Sequence, residues 1–270
     1  MHGNHGVGAL GRIEPRSRVI KISHNAGPEG ARVQQLLIQE GDLVISGDKL
    51  AVLSDDLKRK AEVGAARTFV TMLEAQLKAE KYSLTFNRRE FKRYQSLQQD
   101  VATSESQTDS KRLALQQSET TIERLSAEIA NARFKQKIAE AELDNAFIYA
   151  PITGTVLKIL TRPGERIKEN GLLEMADLSQ LDVVAEVYEV DLLQIKTGQQ
   201  ALISATGWQR AYQAQVGEIG FQVKKNDLND TDPLADTDNR IVEVRLTLEA
   251  EAVDVLRHQI FRQVKVRFLP

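Results

Sequence analysis

The sequence contains 270 residues, and its 36 basic and 38 acidic side chains leave a net charge of −2. This balance disfavours a nucleic-acid-binding protein, which needs a basic excess against phosphates, and the lack of cysteine excludes disulfides, thiolate nucleophiles and Cys-ligated metal sites. Eight Phe, five Tyr and one Trp are few for packing this length, so part of the chain is predicted to lie outside a globular core.

The first seven residues are rich in Gly and His and lack the charged and apolar parts of a secretory signal peptide. No run in the chain approaches the ~18 apolar residues that span a bilayer, so the sequence as given is expected to be soluble. The start is either vector-derived or the point at which a membrane anchor was removed. We treat residues 1–16 as a leader that includes a possible first barrel or membrane-proximal strand.

Residues 17–54 alternate short apolar stretches with glycine turns, such as Glu40-Gly41-Asp42, which predicts short strands in a compact β unit. The same pattern returns in residues 147–182. An offset of 123 residues aligns Val33 with Val156, and it also aligns the turn glycines Gly41 and Gly164. Neither half is long enough to bury its apolar face alone. We therefore expect the two halves to pair into one β-sandwich.

The segment between these halves, residues 55–146, is predicted to be mostly helical, because all six prolines and fifteen of the sixteen glycines lie elsewhere. Apolar residues recur at alternating spacings of three and four over residues 63–94, with polar interruptions at Glu80 and Asn87. A second series follows over residues 115–146. Such spacing, sustained over several heptads, predicts an antiparallel coiled-coil hairpin inserted into the β-sandwich.

The turn of this hairpin is predicted at about residues 97–104, where the first apolar series stops. Ser104 and Gln107 form a capping box that predicts the start of the second helix. Residue type and position alone allow a structural role for two residues near this turn. Arg93 would be a solvated charge on the helix, and Leu97 an apolar residue that closes the seam.

Residues 183–270 alternate apolar and polar side chains in several short runs, which predicts a β-barrel followed by a partial membrane-proximal region. Residues 227–238 are rich in aspartate, but they lack the spacing, the turn glycine and the closing glutamate of an EF-hand loop. A solvated loop is the favoured interpretation, with calcium binding as the alternative.

Catalysis has little support in the sequence. His24 and His258 have no metal-ligand spacing with a second group, and His2 and His5 lie in the N-terminal leader. A nucleophile elbow and a phosphate-binding loop are both lacking. We predict a protein that is not an enzyme and holds no cofactor or metal, so any ATPase it needs is another chain.

The order of half-sandwich, helical hairpin, half-sandwich and β-rich region resembles the periplasmic adaptors, also called membrane fusion proteins of the HlyD-like family. Their hairpin tip carries an Arg-x3-Leu-x6-Ser signature, and Arg93, Leu97 and Ser104 match all three positions. The resemblance implies an α+β fold: a split lipoyl-like β-sandwich with an inserted α-helical hairpin, followed by a β-barrel. It also implies that these three residues dock onto an outer-membrane channel.

The family resemblance further implies a TolC-like channel and an inner-membrane ABC transporter, with its permease and ATPase, as partners. It implies a hexameric ring in the periplasm, anchored to the inner membrane in the full-length protein. Two stretches, residues 11–19 and 232–244, are most similar to adaptors of the cyanobacterial heterocyst-glycolipid exporter type, which suggests a glycolipid or another amphiphile as cargo. Adaptors of macrolide or peptide exporters are the alternatives within the family.

Two interpretations from other classes are kept. Asp48-Lys49-Leu50 superficially matches the tripeptide around a lipoyl-lysine, which would make the chain a carrier-protein relative. Lys49 lies inside the first half, however, whereas the prosthetic lysine of that fold lies between the halves. The other interpretation is a coiled-coil scaffold without a transport role, in which Glu80 and Asn87 set the register of a partner.

Overall fold

A computed structural model describes residues 7–24, 31–99, 105–225 and 240–270. The chain divides into two compact units, one made of residues 1–50 and 149–270 and the other of residues 51–148. The helices are α1 (Asp56–Gln99), α2 (Glu105–Asp144) and α3 (Ala250–Leu256). The strands are β1 (Gly8–Pro15), β2 (Ile20–Ile22), β3 (Val33–Leu36), β4 (Leu43–Val44), β5 (Lys49–Leu53), β6 (Phe147–Tyr149), β7 (Gly154–Ile159), β8 (Leu173–Ala176), β9 (Leu181–Tyr188), β10 (Gln200–Ser204), β11 (Tyr212–Lys225), β12 (Arg240–Leu248) and β13 (Gln263–Phe268).

Six strands form a closed antiparallel barrel in the order β1-β13-β10-β11-β12-β9. Side chains that alternate along these strands fill its interior, and Ile13, Leu246 and Phe268 are among the fully buried ones. Closure pairs every strand on both sides, which removes the exposed edges of an open sheet. β1 comes from the first sixteen residues, so both ends of the described chain contribute to this barrel.

An ion-pair network lies on the outside of the barrel, centred on Arg12 in β1. Its guanidinium donates hydrogen bonds to Glu14 at 2.7 Å, Glu243 at 3.1 Å and Glu186 at 3.2 Å. These carboxylates come from β1, β12 and β9, which are neighbours only because the barrel closes. A single arginine therefore ties together three strands that are far apart in sequence.

The lipoyl-like sandwich consists of a four-stranded sheet, β2-β8-β7-β4, and a three-stranded sheet, β3-β5-β6. The 123-residue repeat reappears in its hydrogen bonds. The Gly41 amide donates to the Val156 carbonyl at 2.8 Å, and the Gly164 amide donates to the Val33 carbonyl at 2.8 Å. Both glycines have a φ near +90°, which costs other residues strain. The two halves therefore pair reciprocally, as their sequences predicted.

In the unit of residues 51–148, α1 and α2 pack side by side as a hairpin. The best-buried part of the seam between them contains Val70, Leu73, Leu125, Ile129 and Ala132. These residues belong to the two predicted heptad series, and they form a narrow strip rather than a globular core.

Candidate docking site

The candidate site lies at the end of the hairpin, on the last turns of α1 and the first turns of α2. Arg93 and Leu97 belong to α1, which ends at Gln99, while Ser104 lies outside the described residues. Residues four apart on a helix lie on the same side, so Arg93 and Leu97 are neighbours on the helix surface. The structure thus brings together two of the three signature residues.

Arg93 makes its described contacts within its own helix. Its guanidinium donates a hydrogen bond to Glu90 Oε2 at 2.8 Å and lies 5.3 Å from the centre of the Tyr94 ring. The side chain is 59% exposed. An exposed ion pair of this kind contributes about 1 kcal/mol or less, so a partner carboxylate can replace Glu90 at little cost.

Leu97 is 39% exposed and is not part of the buried seam. An apolar side chain that stays half in water gains free energy when a partner covers it. Arg93 and Leu97 together therefore offer one charged and one apolar contact on adjoining turns.

Contacts between the helices position this end of α1. The Asn87 side-chain amide donates a hydrogen bond to the Ser118 hydroxyl at 2.9 Å. Closer to the turn, the Lys111 ammonium lies 5.3 Å from the centre of the Tyr94 ring. The Arg112 guanidinium lies over the Phe91 ring at 5.8 Å. These contacts replace apolar packing where the seam becomes polar, and they hold the two helices in register next to Arg93.

Ion pairs between the helices follow a single register. The pairs are Arg67 with Glu140 at 2.8 Å, Glu74 with Arg133 at 2.6 Å, and Arg88 with Glu119 at 3.4 Å. Between successive pairs, the residue number rises by 7 and then by 14 on α1. On α2 it falls by the same amounts, as expected for antiparallel helices. All six residues share one heptad position, so they lie along one flank of the hairpin.

The hydrogen bond from Gln136 and, after it, that from Arg67 lower the pKa of Glu140. Glu140 therefore keeps its charge, and with it the ion pair to Arg67, at more acidic pH than a free glutamate. The ion pairs along this flank were not predicted from the sequence. Aligning the two heptad series in antiparallel register would have placed these residues of opposite charge next to each other.

The other residues considered from the sequence lie elsewhere. Lys49 is the exposed first residue of β5, and residues 227–238 lie outside the described part of the chain. Among the residues that the structure describes, no three His, Asp or Glu side chains come together as a metal site. Within the same residues, no helix combines the length and the apolar character needed to cross a membrane.

Sequence comparison relates this chain to curated membrane fusion proteins. It is 31% identical over 218 residues to the pyoverdine export membrane fusion protein PvdR of Pseudomonas aeruginosa, a match that covers 79% of this chain and 54% of the relative. The chain is a homologue of the membrane fusion proteins. A match to the macrolide export protein MacA of Escherichia coli O157:H7 is 26% identical over 180 residues, covering 65% of this chain and 48% of that protein. No protein-family model matches.

Solved structures agree with this assignment at the level of the fold. The crystal structure of MacA from Actinobacillus actinomycetemcomitans aligns with a TM-score of 0.75 and 20% identity over 100% of this chain and 81% of that one. The membrane fusion protein Spr0693 of Streptococcus pneumoniae R6 aligns with a TM-score of 0.61 and 13% identity over 97% and 98%. The predicted α+β fold class and the predicted family are therefore confirmed. The chain spans about half the length of the relatives it matches in sequence.

Proposed function

We propose that this chain is a non-enzymatic adaptor subunit that links an inner-membrane ABC exporter to a TolC-like outer-membrane channel. The observation that carries the proposal is its homology to export membrane fusion proteins, combined with a helical hairpin inserted between two lipoyl-like halves. In this proposal the subunit lies in the periplasm, and the complete subunit is anchored in the inner membrane. The transporter's permease and ATPase are separate chains.

In this proposal the hairpin end docks onto the channel through Arg93, Leu97 and Ser104. Support comes from the exposure of Arg93 and Leu97 on adjoining turns of α1. Among the described residues, Arg93 contacts only groups of its own helix. Docking opens the channel only if the hairpin end binds the open state better than the closed state, because a ligand shifts an equilibrium by its difference in affinity.

We also propose that the subunit self-associates into a ring, a hexamer by family resemblance. The outer face of α1, meaning heptad positions b, c and f with Val63 as position a, supports this assembly. Met72, Tyr82 and Phe86 occupy this face and are 44%, 68% and 56% exposed. Large apolar side chains grouped on one helix face favour a protein contact. A neighbouring copy is the partner that a ring would supply.

The cargo is proposed to be an amphiphile, such as a glycolipid, on the basis of the sequence resemblance. The names of the relatives point to pyoverdine and macrolide export, and these cargo classes are the alternatives. Export of candidate compounds by cells that contain or lack the subunit distinguishes the classes. A duct component need not make the selective contacts with the cargo, so the answer depends on the transporter partner.

Export assays test the docking residues. We expect Arg93→Ala and Ser104→Arg to abolish export, because the first removes the charged contact and the second places a large cation at the turn. Arg124→Ala is the matched control, since Arg124 also pairs within its own helix, with Glu128, at a position remote from the turn. Helical content measured by circular dichroism must be unchanged in all three variants. Wild-type export by a stably expressed Arg93→Ala/Ser104→Arg double variant refutes the docking role.

The two other interpretations have tests of their own. A lipoyl or biotinyl adduct on Lys49, detected by mass spectrometry after expression with the matching ligase, would support the carrier relative. A deletion strain that exports normally would support the coiled-coil scaffold without a transport role.

A further inference from the structure

The charge on the outer face of α1 changes abruptly along the helix. From Ala61 to Phe86 this face has twelve positions, and Lys78 is the one charged residue among them. The next three positions toward the hairpin end are Arg89, Lys92 and Arg93, and all three are basic. Spacings of three and four residues hold these three side chains on one side of the helix.

Nothing within the described residues neutralises most of this charge. The side chains of Arg89 and Lys92 are exposed and make no hydrogen bond or ion pair with any described residue. Among the described residues, Arg93 forms an ion pair only with Glu90 on its own helix. We call Arg89, Lys92 and Arg93 the basic end of α1.

The surroundings add to the same positive field. Residues 88–112 contain six basic and four acidic side chains, whereas the rest of the hairpin, residues 55–87 and 113–146, has ten basic and eleven acidic ones. The excess of positive charge is therefore confined to the end that bears Arg93 and Leu97. Like charges held this close repel one another, so a surface of opposite charge would relieve a cost already present in the free chain.

We propose that the basic end of α1 recognises an acidic rim on the outer-membrane channel and speeds the encounter of the two proteins. This inference rests on the proposed function, and it adds Arg89 and Lys92 to a contact that the family signature limits to Arg93, Leu97 and Ser104. Carboxylates are the complementary groups, because they accept charge-assisted hydrogen bonds from guanidinium and ammonium groups. Complementary charges of this kind act mainly on the association rate and on orientation.

A protein rim fits this surface better than a lipid membrane does. Helices that bind membranes place basic residues beside a broad apolar face that enters the bilayer. The large apolar side chains of the α1 outer face end at Phe86, and beyond the basic end the exposed residues include the polar Gln95 and Ser96. Beyond Phe86, Leu97 is the one exposed large apolar side chain among the described residues of α1, and it supplies little apolar area for insertion.

The test measures association of the intact chain with the purified channel of its own host in nanodiscs. The Arg89→Glu/Lys92→Glu variant is compared with Lys81→Glu/Lys135→Glu, which reverses two exposed charges of the hairpin that lie farther from its end and off the outer face of α1. We expect the association rate of the first variant to fall about tenfold at about 0.05 M salt, with a smaller difference at about 0.3 M, and the dissociation rate to change little. The control variant should associate like the wild type.

Equal association rates for the wild type and the Arg89→Glu/Lys92→Glu variant refute the inference, as does an equal loss in the control. If Arg93→Ala still weakens binding in that case, the proposed function stands and only the inference fails. No binding of the wild-type chain to the channel counts against the proposed function itself. Binding to phosphatidylglycerol vesicles that the Arg89→Glu/Lys92→Glu variant loses, with channel binding unchanged, identifies a lipid as the partner and also overturns the inference.

Discussion

Glu80 is a polar interruption in the hairpin seam, and replacing it with leucine should stabilise the hairpin. The side chain is partly buried and makes no hydrogen bond or ion pair with the described residues. Asn87 contacts Ser118 across the seam. One heptad farther from the turn on both helices, the same register pairs Glu80 with the buried Leu125. Leucine at position 80 would place its side chain against Leu125 without leaving a partner unpaired.

The size of the effect follows from burial. A fully buried leucine contributes about 1.5–3 kcal/mol, so a leucine at this partly buried site should contribute roughly 1 kcal/mol. Removing an unpaired carboxylate from the seam acts in the same direction. For a chain of this size, about 1 kcal/mol corresponds to a rise of about 2–4 °C in the melting temperature.

Thermal unfolding followed at a helix-specific circular dichroism wavelength measures the effect. Glu74→Leu is the matched control, because it makes the same substitution on the same helix but removes the ion pair with Arg133. We expect Glu80→Leu to raise the melting temperature and Glu74→Leu to leave it unchanged or lower it. An unchanged melting temperature for Glu80→Leu, or equal changes in both variants, contradicts the seam register described above.

Three further predictions concern two glycines and the barrel network. Gly154→Ala should destabilise the sandwich by about 1–3 kcal/mol, because an added Cβ would lie 2.6 Å from a backbone carbonyl oxygen of the neighbouring strand. Gly64→Ala should stabilise the hairpin by about 0.5–1 kcal/mol, since this helical position has open space; denaturant titration measures both variants. Burial opposes ionisation of Glu243, but hydrogen bonds from Lys224 and Arg12 outweigh it and lower the pKa. Glu243 thus stabilises the fold above the pKa of an unfolded glutamate and loses this contribution as pH falls through its lowered pKa, so Glu243→Gln should flatten the acid side of a melting-temperature profile.

Patterns that recur along the chain could be recognised from the sequence. The heptad series predicted two packed helices, because apolar spacing decides which side of a helix avoids water. The 123-residue repeat predicted paired halves, and the reciprocal hydrogen bonds of Gly41 and Gly164 agree with it. In both cases the pattern is visible in the order of residue types along the chain, without knowing which distant segments come into contact.

Contacts that depend on closure were not readable in this way. Arg12 pairs with Glu186 and Glu243, which are 174 and 231 residues away in sequence. No local pattern marks these partners, because their proximity arises only when β1 is inserted between β13 and β9 to close the barrel. The same limit applies to Lys111, whose contact with Tyr94 depends on the register of two separate helices.

The sequence by itself determined the elements, their order and the signature Arg93, Leu97 and Ser104, since these depend on residue type and spacing. Only the tertiary structure decided which cations are neutralised. Arg67 and Arg88 face carboxylates of α2, while Arg89 and Lys92 on the outer face have none among the described residues. The physical reason is that an ion pair needs two charged groups within a few ångströms of each other. When the two groups lie on separate segments, only the packing of those segments sets this distance.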